Sequence, residues 1–153
     1  MPTRLKDFAT AVVAVAEPET TALVAAQLMR QHHVGALVVV DAAHKSSPVG
    51  IVTDRDLVRR AVARGIAPDA RVDSVMSSPV VSIADDADLH DAVAVFGRKA
   101  VRRLVVERDG RFVGVLSADD LLIDLASDLA AVVRPIGAEV LFGHRDSSVP
   151  ATT

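Results

Sequence analysis

A seven-residue pattern occurs twice in the chain, first as Gly50-Ile51-Val52-Thr53-Asp54-Arg55-Asp56 and again, 64 positions later, as Gly114-Val115-Leu116-Ser117-Ala118-Asp119-Asp120. Each copy consists of a glycine, two apolar residues, a hydroxyl residue, two further residues and an aspartate. Such a segment is typical of a strand that ends at the hydroxyl residue and passes directly into a helix. Because the whole pattern is repeated, we expect two similar structural units.

The rest of the chain aligns on the same repeat. Residues 15–39 match residues 82–106 at an offset of 67, and the offset falls to 64 after the loop 41–48. A length difference confined to a polar loop is what a hairpin turn tolerates. Each half then follows the order strand, helix, strand, strand, helix, and residues 65–73 link the halves.

Hydrophobic periodicity predicts where the individual elements lie. Thr21 and Asp88 precede two amphipathic segments and are predicted to be helix N-caps. The predicted helices are 21–31, 54–64, 88–99 and 118–133. The predicted strands are 12–15, 37–40, 49–52, 80–83, 104–106 and 112–116, with an added strand at 138–142 after Pro135.

The composition restricts the possible functions. The chain has 153 residues, of which half are apolar and only 3% aromatic, so the core must be built mainly from Val, Ala and Leu. A net charge of −3 argues against binding to nucleic acid. Without cysteine there is no thiolate chemistry. We find neither a signal peptide nor a membrane span, and we expect a cytoplasmic protein.

The two motif copies, in this order of elements, resemble a tandem pair of CBS motifs, also called a Bateman module. The resemblance implies an α/β fold of α+β type, in which two β-α-β-β-α repeats pack with pseudo-two-fold symmetry. We place the first CBS motif at 5–66, the second at 72–134, a C-terminal extension at 135–143 and a disordered tail at 144–153. The resemblance further implies a stand-alone, bacterial-type protein that forms a homodimer.

The family resemblance also implies clefts that bind an adenosine-containing ligand. Asp56 and Asp120 are the candidate ribose ligands, because a carboxylate accepts hydrogen bonds from both ribose hydroxyls. Thr53 and Ser117 stand where a helix begins, which favours an anionic group nearby. The same pattern also describes a helix cap, so an aspartate at this position has a structural explanation as well.

The two repeats differ where a phosphate is expected to bind. The second repeat has Arg102 and Arg103, and an arginine can donate to two phosphate oxygens at once. The first repeat has Gly35 and Ala36 at these positions, and its nearby cation is Arg55. We therefore expect two unequal clefts, of which the second tolerates phosphate.

The sequence thus predicts a non-enzymatic regulatory module without an obligatory cofactor. Its expected ligand is AMP, ADP, ATP or S-adenosylmethionine, and it would relay binding to an unidentified protein partner, with no nucleic acid and no membrane involved. One alternative is a structural or protein-interaction module whose clefts are empty. A second is a divalent-metal-binding CBS protein, suggested by His32, His33, His44 and Asp41.

Overall fold

The computed structural model describes Leu5, residues 14–44 and residues 46–142. The chain divides into two compact units, Met1–Ala118 and Asp119–Thr153. Both repeated sheets belong to the first unit. The predicted tail at 144–153 and the first two residues of the predicted strand 12–15 lie outside the described residues.

The first repeat forms a three-stranded sheet in the order β1-β2-β3. Strand β1 (Val15–Ala16) is parallel to β2 (Ala36–Asp41), which is antiparallel to β3 (Ser47–Thr53). Helix α1 (Ala22–His32) connects β1 to β2. The Thr21 side chain accepts a hydrogen bond from the backbone N–H of Val24 at 3.2 Å, which confirms the predicted N-cap.

The second repeat has the same topology, in the order β4-β5-β6. Strand β4 (Ser82–Ala84) is parallel to β5 (Arg103–Arg108), and β5 is antiparallel to β6 (Arg111–Ser117). Helix α3 (Leu89–Lys99) begins with a capping box, in which Asp88 and Asp91 each accept a backbone N–H from the other. The predicted α+β fold with two repeats is therefore confirmed.

Three apolar clusters hold the first unit together. One belongs to the first repeat, and one to the second, where Leu5 is fully buried against Leu104 and Leu116. The third joins the repeats, because Val38 and Val40 of β2 lie together with Val105 of β5. Strands β2 and β5 are buried on both faces, which explains their near-continuous runs of valine and leucine.

The segment after β3 is less regular than the predicted helix 54–64. Helix α2 (Asp54–Asp56) continues as one π-helical turn, Leu57–Ala61, and then as a 3₁₀ turn, Val62–Arg64. Gly65 follows with φ of +65°, a conformation that glycine adopts without strain. A π turn inside a helix frequently lies next to a functional site.

The predicted strand at 138–142 is wrong, because helix α4 runs without interruption over Ala118–Phe142. A short strand without a paired neighbour leaves its backbone groups unsatisfied, whereas a helix satisfies them within its own segment. Within the described residues no helix is both long and apolar enough to cross a membrane.

Candidate functional site

Thr53 and Asp56, the candidate pair of the first repeat, are hydrogen-bonded to each other. The backbone N–H of Asp56 donates to Thr53 Oγ1 at 3.0 Å, and the backbone N–H of Thr53 donates to Asp56 Oδ2 at 3.0 Å. The Asp56 side chain is only 17% exposed. The capping role considered for this motif is therefore present, and it holds the carboxylate at the end of β3.

The second oxygen of the Asp56 carboxylate faces Arg60, whose Nε lies 3.6 Å from Asp56 Oδ1. Arg60 is not among the site residues that the sequence predicts. The spacing of Asp56 and Arg60 could have indicated this pair, because an aspartate and an arginine four residues apart are neighbours on a helix. Arg60 also donates through Nη1 to the carbonyl oxygens of Val75 and Met76, at 3.0 and 3.1 Å.

The other charged groups of the first motif are exposed. Arg55 is directed to solvent, and its backbone N–H donates to Asp54 Oδ1 at 2.7 Å. The backbone N–H of Asp54 donates to the carbonyl of Gly35 at 3.0 Å, and a Cβ on Gly35 would lie 3.4 Å from Asp54 Oδ2. An acidic group therefore occupies the space beside Gly35.

In the second repeat, three of the candidate residues belong to adjoining elements of the first unit. Ser117 ends β6 and is in register with Arg103, the first residue of β5. Arg102 directly precedes β5, and both arginines are exposed. Asp120 belongs to the second unit, where it lies in the first turn of α4.

A shared backbone contact shows which residues correspond between the repeats. In the first repeat Asp54 N–H donates to Gly35, and in the second Ala118 N–H donates to the carbonyl of Arg102 at 2.9 Å. Gly35 and Arg102 are thus structural equivalents, as the alignment predicts. The first repeat has an aspartate beside a glycine at this place, whereas the second has an alanine beside an arginine.

Residues 76–78, which lead towards the second repeat, lie along β3. Ser77 and Ile51 exchange backbone hydrogen bonds of 2.9 and 3.0 Å, and Ser78 Oγ donates to the carbonyl of Val49 at 2.8 Å. Met76 covers Gly50 so closely that a Cβ there would overlap its sulfur atom. The first glycine of the motif therefore makes room for this segment.

The histidines considered as metal ligands do not form a cluster. His32 ends α1, and His33 follows as its C-cap with φ of +53°. His44 ends a 3₁₀ turn, Ala42–His44, that follows β2. Its Nδ1 contacts Asp41 Oδ2, and this hydrogen bond lowers the pKa of the Asp41 carboxyl. No group of three metal-ligating side chains occurs among residues 14–44 and 46–134, whose side chains the structure describes.

Comparison with known proteins gives consistent matches. The family model of the CBS domain matches residues 5–63 and 72–127. An uncharacterized protein of Methanopyrus kandleri is 36% identical over 112 residues, which are 72% of this chain but 56% of that protein. The CBS domain-containing protein YhcV of Bacillus subtilis is 35% identical over 127 residues, covering 83% of this chain and 89% of YhcV.

Among solved structures, Hypoxic Response Protein I with two coordinated zinc ions has a TM-score of 0.68 and 28% identity. The match covers 78% of this chain and 97% of that structure. These comparisons agree with the two sheets and the repeated motif described above.

Proposed function

Because the chain belongs to the CBS-domain family, we propose that it is a regulatory module that binds an adenosine-containing ligand and reports binding to a protein partner. The ligand classes are AMP, ADP, ATP and S-adenosylmethionine. Under this proposal the module performs no chemistry, needs no cofactor and acts in the cytoplasm.

The observation that carries the proposal is the matched backbone contact at Gly35 and Arg102. It supports a common site in both repeats, with the same strand end and the same helix start. At this position the second repeat has the guanidinium side chain of Arg102, whereas Gly35 of the first repeat has no side chain. An exposed arginine beside a helix N-terminus is well suited to a phosphate group.

The aspartates of the repeated motif are the proposed ribose ligands. Asp120 lies in the first turn of α4, three residues after Ser117, and its carboxylate would accept hydrogen bonds from the two ribose hydroxyls. Asp56 offers the same group in the first repeat. There the carboxylate is already oriented by the backbone of Thr53 and by Arg60.

The first site is predicted to discriminate against phosphate. The Asp54 carboxylate lies beside Gly35, where the second repeat has the uncharged Ala118. A phosphate placed there would approach a like charge, which is destabilising. We therefore propose that the first cleft takes an uncharged nucleoside group, or no ligand, and that the second takes the phosphorylated ligand.

A thermal-shift panel of AMP, ADP, ATP, S-adenosylmethionine and adenosine tests the proposal. At a ligand concentration one hundred times the Kd, binding stabilises the folded chain by about 2.7 kcal/mol. Guanosine monophosphate serves as the control for nonspecific phosphate effects. If no adenosine compound raises the Tm at millimolar concentration, the sensor proposal fails and the interaction-module alternative takes its place.

We further propose that the protein is a homodimer, on the evidence of α4. Every residue from Leu122 to Arg134 is exposed. The exposed set includes an apolar stripe with alternating spacings of three and four residues: Leu122, Leu125, Leu129 and Val132. This heptad spacing is what one helix presents to another in a coiled coil, and a second copy supplies the same stripe by symmetry.

The metal alternative is not part of the proposal. Zinc is present in the structure of Hypoxic Response Protein I, but the histidines here are not grouped with other ligands in the described part of the chain. His44 contacts the carboxylate of Asp41.

A further inference from the structure

Arg60 connects the candidate ribose ligand of the first repeat to the segment that leads to the second repeat. Its Nη1 lies 3.0 Å from the carbonyl of Val75, 3.1 Å from that of Met76 and 3.3 Å from Ser77 Oγ. Two hydrogens on Nη1 serve these three acceptors. Its Nε lies 3.6 Å from Asp56 Oδ1. One guanidinium thus contacts both the carboxylate and the connecting segment.

The segment that Arg60 contacts is attached to the strand that ends at the candidate site. Ser77 pairs with Ile51, and Ile51 precedes Thr53 by two residues on β3. Val75 is buried and Ser77 is partly buried. Arg60 therefore lies between the Asp56 carboxylate and residues 75–77. A movement of either one changes its contacts with Arg60.

The second repeat has no counterpart of this arginine. Asp56 corresponds to Asp120 in the repeated motif, and at the same offset Arg60 corresponds to Asp124. An acidic residue at that place cannot pair with a carboxylate. The connection is therefore a property of the first repeat and not a general requirement of the repeated fold.

We propose that Arg60 is a positioning residue that couples ligand binding at Asp56 to the attachment of residues 75–77. This inference rests on the proposed function, since it concerns the same nucleoside site. Arg60 holds the Asp56 carboxylate in one orientation, which reduces the ordering cost of ribose binding. Coupling is reciprocal, so a bound nucleoside strengthens the hydrogen bonds between residues 75–77 and their neighbours.

The test compares the full-length chain with Arg60→Met, Arg60→Lys and the matched control Arg59→Met, whose side chain is exposed in the same turn. Adenosine is the probe, because it carries a ribose without phosphate. We measure its Kd by calorimetry and, by NMR, the hydrogen exchange of the Ile51 and Ser77 amides with and without adenosine. Circular dichroism establishes that each variant folds.

We expect Arg60→Met to raise the Kd for adenosine about tenfold, within the usual 5–150-fold range of coupling. Adenosine should slow exchange of the Ile51 and Ser77 amides in the wild type and in Arg59→Met, but not in Arg60→Met. Arg60→Lys should give an intermediate Kd, because an ammonium keeps the charge without the planar set of donors. If Arg60→Met does not fold, the adenosine Kd and the amide exchange of Arg60→Lys are compared with those of Arg59→Met instead.

Two outcomes overturn the inference in different ways. If the wild type binds adenosine and the Arg60 variants match Arg59→Met in Kd and in amide exchange, the coupling is absent and the proposed function stands. If the wild type binds neither adenosine nor any compound of the thermal-shift panel, the proposed function fails and the coupling fails with it.

Discussion

At the scale of single residues, the two aspartates of the repeated motif have different neighbours. Asp56 is held by a backbone N–H and by Arg60, and it lies in a repeat that places Asp54 beside Gly35. Asp120 lies in a repeat with Arg102 at the corresponding place. We therefore predict that the two aspartates, although they have the same position in the motif, are not equivalent in binding.

We expect Asp120→Ala to weaken binding of AMP more than Asp56→Ala does, by about tenfold or more, since a hydrogen bond to a charged group contributes about 1.5–3 kcal/mol. Calorimetric titration with AMP measures both constants. Asp128→Ala, which removes an exposed carboxylate further along α4, is the control. Equal losses in the two aspartate variants contradict the predicted asymmetry.

The role of Gly50 depends on a contact with Met76, a residue far away in the sequence. A Cβ at this position would overlap the Met76 sulfur and lie 3.0 Å from Met76 Cγ. We expect Gly50→Ala to lower the free energy of unfolding by about 1–3 kcal/mol, as overpacking does. Chemical denaturation measures the change.

Gly97 supplies the matched control for this substitution. It lies within α3, and a Cβ there has no neighbouring atom within 4 Å. Gly97→Ala should therefore stabilise the protein by about 0.5–1 kcal/mol, the ordinary advantage of alanine in a helix. In a double-mutant cycle, Met76→Ala should remove part of the cost of Gly50→Ala, and simple additivity would argue against the Met76 contact.

At the scale of elements, local signals account for the helix starts. Thr21 and Asp88 cap α1 and α3 as expected. A polar residue followed by helical spacing of apolar residues predicts such a cap. The end of α4 was not predicted correctly. Apolar and polar residues alternate weakly over 138–142, which suggests a strand. These residues continue helix α4, and a local pattern does not reveal this.

The cap of α3 allows a quantitative prediction. Asp88→Ala removes the side-chain acceptor for the Asp91 N–H at 2.9 Å, which is one of the two hydrogen bonds of the capping box. We expect a loss of about 1 kcal/mol in the free energy of unfolding. Asp88→Asn, which keeps the acceptor oxygen, should retain most of the stability. A loss as large as that of Ala would mean that charge, and not capping, is responsible.

At the scale of the whole molecule, the exposed stripe of α4 leads to a prediction about assembly. Leu129 is 65% exposed although it is a large apolar residue. Leu129→Lys places a charge in the proposed helix pair and should convert the dimer to a monomer at micromolar concentration. Light scattering coupled to size-exclusion chromatography measures the mass.

Ser127→Lys is the control for this experiment, because residue 127 lies on the opposite side of α4 from Leu129 at 100° per residue. It adds the same charge to the same helix and should leave the mass of the dimer unchanged. A monomeric wild type would contradict the homodimer proposal, whereas dissociation of both variants would point to a general effect of charge on α4.

The sequence by itself determined the repeat, the order of strands and helices within each repeat, the helix caps and the contrast between Arg102 and Gly35. All of these depend on residues close together in the chain or on comparison of one half with the other. Only the tertiary structure decided that Arg60 reaches Val75 and Met76, that Met76 lies over Gly50, and that Leu5 packs in the core of the second repeat. The physical reason is that periodicity and capping specify which face of an element is buried, but not which distant residue covers it.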